Sequence, residues 1–139
     1  MIRAQIVAEA REYIGTKFQH QARLKGVACD CAGLVVGVAK ALGLSDFDMV
    51  GYAHIPDGVT LRRVCKENMT AIPFAEVQPG DVLLLAWEAE PTHLAIVGDY
   101  PGGLSIIHAY APARKVVESR MDSVWASRVV EAYRLPGVA

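Results

Sequence analysis

Between Pro79 and Tyr110 two turn signals divide a strongly apolar stretch into strand-length pieces, and this commits the chain to a buried sheet. Pro79-Gly80-Asp81 marks a turn, and the continuous apolar run Val82-Leu83-Leu84-Leu85-Ala86-Trp87 behind it fits a buried strand. Thr92-His93-Leu94-Ala95-Ile96-Val97-Gly98 and Leu104-Ser105-Ile106-Ile107-His108-Ala109-Tyr110 flank Tyr100-Pro101-Gly102-Gly103, which predicts a β-hairpin. Counting outward from that turn sets His93 opposite His108 or a residue or two beyond. Opposed side chains on one face lie about 4.5–5.5 Å apart at Cβ, so the two imidazoles can hydrogen-bond. A slip of one residue would send them to opposite faces.

A helix is expected over residues 30–42. Leu34, Val38 and Leu42 recur four apart with Val35 beside them, giving one apolar face. Asp30 is a natural N-cap, so Cys31 falls in the first turn, where unpaired N–H groups and the helix dipole favour negative charge. A thiol there is expected to ionise below its ordinary value of about 8.5. Gly33 and Gly37, with Ala41 beyond, form a second stripe with almost no side chain. Each mid-helix glycine costs roughly 0.5–1 kcal/mol against alanine, so something must approach closely. A neighbouring sheet and a substrate chain are the two candidates.

The rest of the chain fills in the architecture. Ile2, Ile6, Ala10 and Ile14 lie four apart between charges and predict an N-terminal amphipathic helix rather than a signal peptide, whose apolar stretch would be uninterrupted. Residues 45–56 read as a loop, with Tyr52 and His54 as surface residues, leading to a short helix over 59–69. Residues 114–118 and 128–134 read as two further strands. Helices first and antiparallel strands afterwards indicate an α+β fold, with the Cys31 helix packed on the sheet that carries both histidines. At 139 residues and 53% apolar content, residues 1–139 are expected to form one domain.

Fifteen acidic against fourteen basic residues leave almost no net charge, which argues against nucleic acid as a partner. No apolar run reaches membrane-spanning length. Cys29, Cys31 and Cys65 include no second close pair that would complete a zinc site, so no metal is expected, and nucleophilic thiol chemistry by itself needs no cofactor. Cys29 reads as a packed thiol and Cys65 as a core residue. Singly, a buried cysteine or histidine is usually structural. A cysteine at a helix start together with two facing histidines is the set that nucleophilic thiol chemistry requires.

These residues resemble the NlpC-type cell-wall cysteine peptidases. Asp30-Cys31-Ala32-Gly33-Leu34 is similar to the family's Asp-Cys-Ser-Gly-hydrophobic nucleophile motif, and Pro79-Gly80-Asp81-Val82 to its Pro-Gly-Asp turn. Thr92-His93-Leu94-Ala95-Ile96-Val97 resembles its Ser-His-Val-Gly-Ile strand, Ile107-His108-Ala109 its His-Ala element, and Tyr13-Ile14-Gly15-Thr16-Lys17-Phe18 its Gly-Thr-Pro-Tyr approach. Residues 15–21, 26–31 and 116–119 and the ending Tyr133-Arg134-Leu135-Pro136 resemble the branch found in tails of phages and gene transfer agents.

The resemblance implies a papain-like fold, with Cys31 as nucleophile, His93 as general base and acid, and His108 as the orienting third residue. It implies cleavage of peptidoglycan stem peptides at the γ-D-glutamyl to diamino-acid bond. The branch implies other tail proteins as partners, with synthesis in the cytoplasm and action at the cell wall. Asp30 is the implied anchor for the substrate's free amine, with helix capping alone as the equal alternative. Two positions depart from the pattern: the family's tyrosine is Phe18 here, with His20 as its candidate replacement, and the serine after the cysteine is Ala32. Related families with a papain-like core keep open an acyltransferase or thioesterase acting on lipid or acyl substrates, and the two departures keep open a tail component whose site has decayed.

Overall fold

The computed structural model describes residues 2–19, 22–44, 58–86 and 91–138. His20, the loop with Tyr52 and His54, and Trp87 lie outside the described residues. Three longer helices, α1 (Ile2–Arg11), α2 (Cys31–Ala41) and α3 (Gly58–Asn68), precede the main strands. Those are β4 (Thr70–Ile72), β5 (Val82–Ala86), β6 (Pro91–Tyr100), β7 (Gly103–Tyr110), β8 (Lys115–Arg120) and β9 (Val129–Arg134), with the four-residue helix α4 (Ser123–Ala126) before the last. Three two-residue strands, β1 (Lys17–Phe18), β2 (Arg23–Leu24) and β3 (Ala28–Cys29), lie between α1 and α2. They are too short to show alternation, so periodicity gives no sign of them. The described strands join in one sheet of order β2-β3-β1-β8-β7-β6-β5-β9-β4, antiparallel except where β1 pairs with β3. The fold is α+β, as the element order predicts.

The apolar run of β5 is continuous because both of its faces are covered. Val82 and Leu84 enter a core shared with Ile6, Val7 and Ala10 of α1, Leu34, Val35 and Val38 of α2, and Leu61 and Cys65 of α3. Leu83 and Leu85 enter a second, smaller core with Ala95, Val97, Ile106 and Ala132, flanked by Met121 and Trp125. The N-terminal helix ends three residues earlier than its apolar stripe suggests. After Arg11 the chain turns through Gly15, whose φ of +90° suits glycine, and Ile14 is left 44% exposed.

The glycine stripe of α2 receives neither of the two candidates expected for it. A Cβ on Gly33 would overlap the Ala22 carbonyl oxygen, and one on Gly37 would overlap the Tyr13 hydroxyl. The same Ala22 carbonyl accepts the Asp30 N–H at 3.1 Å, so the loop before β2 is fastened to the start of the helix. Close approach is thus to a loop carbonyl and a buried phenol.

Asp81 ties α1, β9 and the turn before β5 together. Fully buried, its carboxylate accepts from Arg3 Nη1 of α1 at 3.0 Å, from Arg134 Nε and Nη2 of β9 at 3.0 Å each, and from the Gln78 N–H at 2.9 Å. Removing one partner of such a buried pair strands the others, at a typical cost of about 3–5 kcal/mol. Both arginines keep some contact with water. Asp81→Asn is therefore expected to lower unfolding stability by about 3 kcal/mol, the low end of that range, as read from urea denaturation.

Candidate active site

Cys31 is the first residue of α2, and Asp30 caps the helix by accepting the Gly33 N–H on Oδ1 at 2.7 Å. The cap fixes where the thiol sits. The backbone N–H groups of Leu94, Ala32 and Cys31 lie near enough to the sulfur to favour its charged form. Leu94 follows His93 on β6, so the sulfur lies against the β6 backbone one peptide bond from His93. Cys31 is only 8% exposed.

The histidines come together through the hairpin register. β6 and β7 pair from Tyr100↔Gly103 to Ile96↔Ile107. Continued by one pair, that register sets His108 across from Ala95, one diagonal step from His93 on the same face. His93 Nε2 and His108 Nδ1 are 2.8 Å apart, with ring centroids 5.0 Å apart in an edge-on arrangement. The sequence expectation allowed this offset, and the one-residue slip that would have parted the rings does not occur. His108 is fully buried, with Tyr110 stacked on it at 5.1 Å and the Trp125 edge at 4.9 Å. Its other ring nitrogen, Nε2, lies 3.2 Å from Ser119 Oγ.

The charge state differs from the sequence expectation. Burial, with the carboxylate of Asp30 adding to it, pushes the Cys31 thiol up to about 12 in spite of the three N–H groups. The expectation of an easily ionised thiol is corrected: a helix start favours a thiolate only while water or a cation shares the charge, and here burial outweighs the dipole. Burial lowers His93 to about 3, with His108 contributing, and lowers His108 to about 4. The resting site is a neutral thiol beside neutral imidazoles.

Of the other residues singled out from sequence, Asp30 is buried at the cap. Phe18 is half-buried on β1, beside Cys29 in the strand pairing, and packs on the main core. His20 lies outside the described residues. Cys29 and Cys65 are buried and free, as expected, and burial raises each to about 12. Among the described residues no group of three or more His, Cys, Asp or Glu side chains is arranged to hold a metal ion. Sequence reading missed Ser119, Tyr110 and Trp125 as neighbours of His108. Ser119 stands two residues beyond Val117, the β8 partner of His108, and only the β7–β8 register reveals that relation.

The NlpC/P60 family profile matches residues 15–134. Among solved structures, the NlpC/p60 domain of the peptidoglycan hydrolase SagA is 27% identical with a TM-score of 0.64, covering 94% of this chain and 97% of that one. A protein similar to lipoprotein, of the NLP/P60 family, from Staphylococcus aureus is 18% identical with a TM-score of 0.66, and this chain, 98% covered, spans 42% of its length. RipD from Mycobacterium tuberculosis, a non-catalytic NlpC/p60 domain protein adapted to peptidoglycan binding, is 13% identical with a TM-score of 0.61, covering 99% of this chain and 98% of that one. No curated protein sequence matches the chain.

Two pH dependences follow from the buried, neutral site. Alkylation of Cys31 by iodoacetamide is expected to accelerate steadily from about pH 6 to about pH 9 with no acid plateau, followed by mass spectrometry of the labelled peptide. Each histidine takes up a proton near pH 6.5 when unfolded but only near 3 or 4 when folded. Below about pH 6.5 the unfolded chain therefore binds more protons, and stability falls as pH falls. Between pH 7 and about pH 5 the loss amounts to at most about 2 kcal/mol per ring, and His108→Gln is expected to remove one ring's share in urea titrations at the two pH values.

Proposed function

Because the chain belongs to the NlpC/P60 family, we propose that it is a cysteine hydrolase that opens an amide bond in peptidoglycan stem peptides. The observation that carries this reading is the sulfur held against the Leu94 N–H, one peptide bond from a histidine whose Nε2 is 2.8 Å from His108. With Nε2 of His93 engaged by His108, Nδ1 is the ring nitrogen assigned to the thiol.

In this reading the thiol proton passes to His93 Nδ1 as Cys31 Sγ attacks the scissile carbonyl carbon. Because thiol and imidazole are neutral at rest, charge develops on them only as the reaction begins. The carbonyl oxygen takes the developing charge, and the Cys31 N–H at the start of α2 is a fixed donor suited to it. His93 returns its proton to the amine nitrogen as the C–N bond breaks, leaving a thioester on Cys31. Water then attacks the thioester, giving one proton to His93 and releasing the acid. His93 finally reprotonates the sulfur. No redox step or added group enters this balance.

The bond assigned is the one between γ-D-glutamate and the diamino acid, with Asp30 as anchor for the substrate amine and Phe18 and His20 as the other substrate-binding candidates. The likeness of residues 15–21, 26–31 and 116–119 to the phage-tail branch supports use by a tail or tail-like particle opening the wall, alongside other tail proteins. No helix among the described residues is long and apolar enough to cross a membrane.

One observation favours a second reading. The near-complete burial of Cys31 and its raised thiol suit a domain that binds stem peptides without cutting them. Digestion of defined muropeptides with product identification by mass spectrometry separates the two. Hydrolysis is expected in the wild type and at least about a thousandfold less in Cys31→Ala, whose urea midpoint stays close to wild type. Saturable muropeptide binding with no products from the wild type would select the second reading.

A further inference from the structure

His108 has one ring nitrogen facing His93 and the other facing Ser119, a residue to which the mechanism above gives no role. Ser119 lies on β8, half-buried, on the same face as His108 and one diagonal step away in the β7–β8 pairing. Tyr110 against one face of the His108 ring and the Trp125 edge nearby leave the imidazole little room to turn towards other partners.

Proton positions along this row are constrained once His93 is charged. An imidazolium carries hydrogen on both nitrogens, so the Nε2–H of charged His93 must donate to His108, which must then accept on Nδ1. His108 stays neutral, so its own hydrogen has to be on Nε2, aimed at Ser119 Oγ 3.2 Å away. A hydroxyl can accept that hydrogen. Without it, a buried N–H would be left unpaired when charge appears on His93, and a buried unpaired donor is costly.

Building on the hydrolase reading, we propose that Ser119 is a positioning residue, the terminal acceptor of a Ser119–His108–His93 row that fixes the His108 hydrogen on Nε2 and leaves His93 Nδ1 as the base. Ser119 touches neither substrate nor sulfur in this scheme. It acts through His108, and its effect falls on the charged state of His93 rather than on substrate binding. A neutral hydrogen bond of ordinary net strength corresponds to about a two- to tenfold effect on rate.

The test joins a direct observation of the tautomer with kinetics of shape-matched variants. Imidazole ¹⁵N NMR of the wild-type protein is expected to show His108 protonated on Nε2, and Ser119→Ala to show that nitrogen losing its hydrogen for a substantial fraction of molecules. On muropeptides, Ser119→Ala and Ser119→Val are expected to lower kcat about two- to tenfold with KM unchanged, and Ser119→Thr to restore it. A His108 hydrogen on Nδ1 in the wild type, or Ser119→Val as active as Ser119→Thr, would overturn the proposal. The NMR arm does not depend on turnover: a Ser119-dependent Nε2–H in a wild type that cuts no muropeptide sinks the hydrolase reading and supports the positioning of His108.

Discussion

The close seating of α2 is the constraint on which the rest of the site depends, and it rests on two absent Cβ atoms. Gly33 admits the Ala22 carbonyl and Gly37 admits the Tyr13 hydroxyl, contacts that any side chain would block. The Ala22 carbonyl in turn holds the Asp30 N–H, and Asp30 holds the Gly33 N–H, so the first turn of the helix is fastened on both sides of Cys31. Each glycine gives up roughly 0.5–1 kcal/mol of helix propensity for this fit. What the fit secures is the location of one sulfur atom against one peptide of β6.

The same burial sets the electrostatics of the site. A thiol under a helix start would be acidic if water or a cation shared its charge, but Cys31 is enclosed with the carboxylate of Asp30 nearby. Two neutral imidazoles complete a set of reacting groups that carries no charge at rest. Such a site concentrates the cost of charge separation into the moment of reaction, where fixed N–H donors have their greatest effect because little water competes with them. This is also why burial of the sulfur bears on two readings of the protein, one that cuts and one that only binds.

The sheet was legible to different depths along its length. The run from Val82, the hairpin around Pro101-Gly102-Gly103 and the two later strands stand out because each strand is long enough to reveal burial or alternation. The pairs at Lys17, Arg23 and Ala28 are two residues long and carry no such signal. Helix α1 was overextended because Ile14 continues the apolar spacing, whereas Gly15 bends the backbone away. Of the site, Cys31, Asp30 and the histidine pair were readable from spacing and motif. Ser119, Tyr110 and Trp125 were not, since their nearness to His108 comes from the register of β8 and the placement of α4.

By itself the sequence determined where the longer helices and strands lie, which residue caps α2, and that a thiol begins that helix, because these depend on neighbours within a turn or a hairpin. It also confined His93 and His108 to one short hairpin, where loop length limits the offset to a residue or two. Tertiary structure alone decided the exact diagonal offset, the hydroxyl behind His108 and the side chains that hold its ring. It decided the charge state of Cys31 as well, because ionisation depends on how much water the packed chain excludes, and no local stretch of sequence records that.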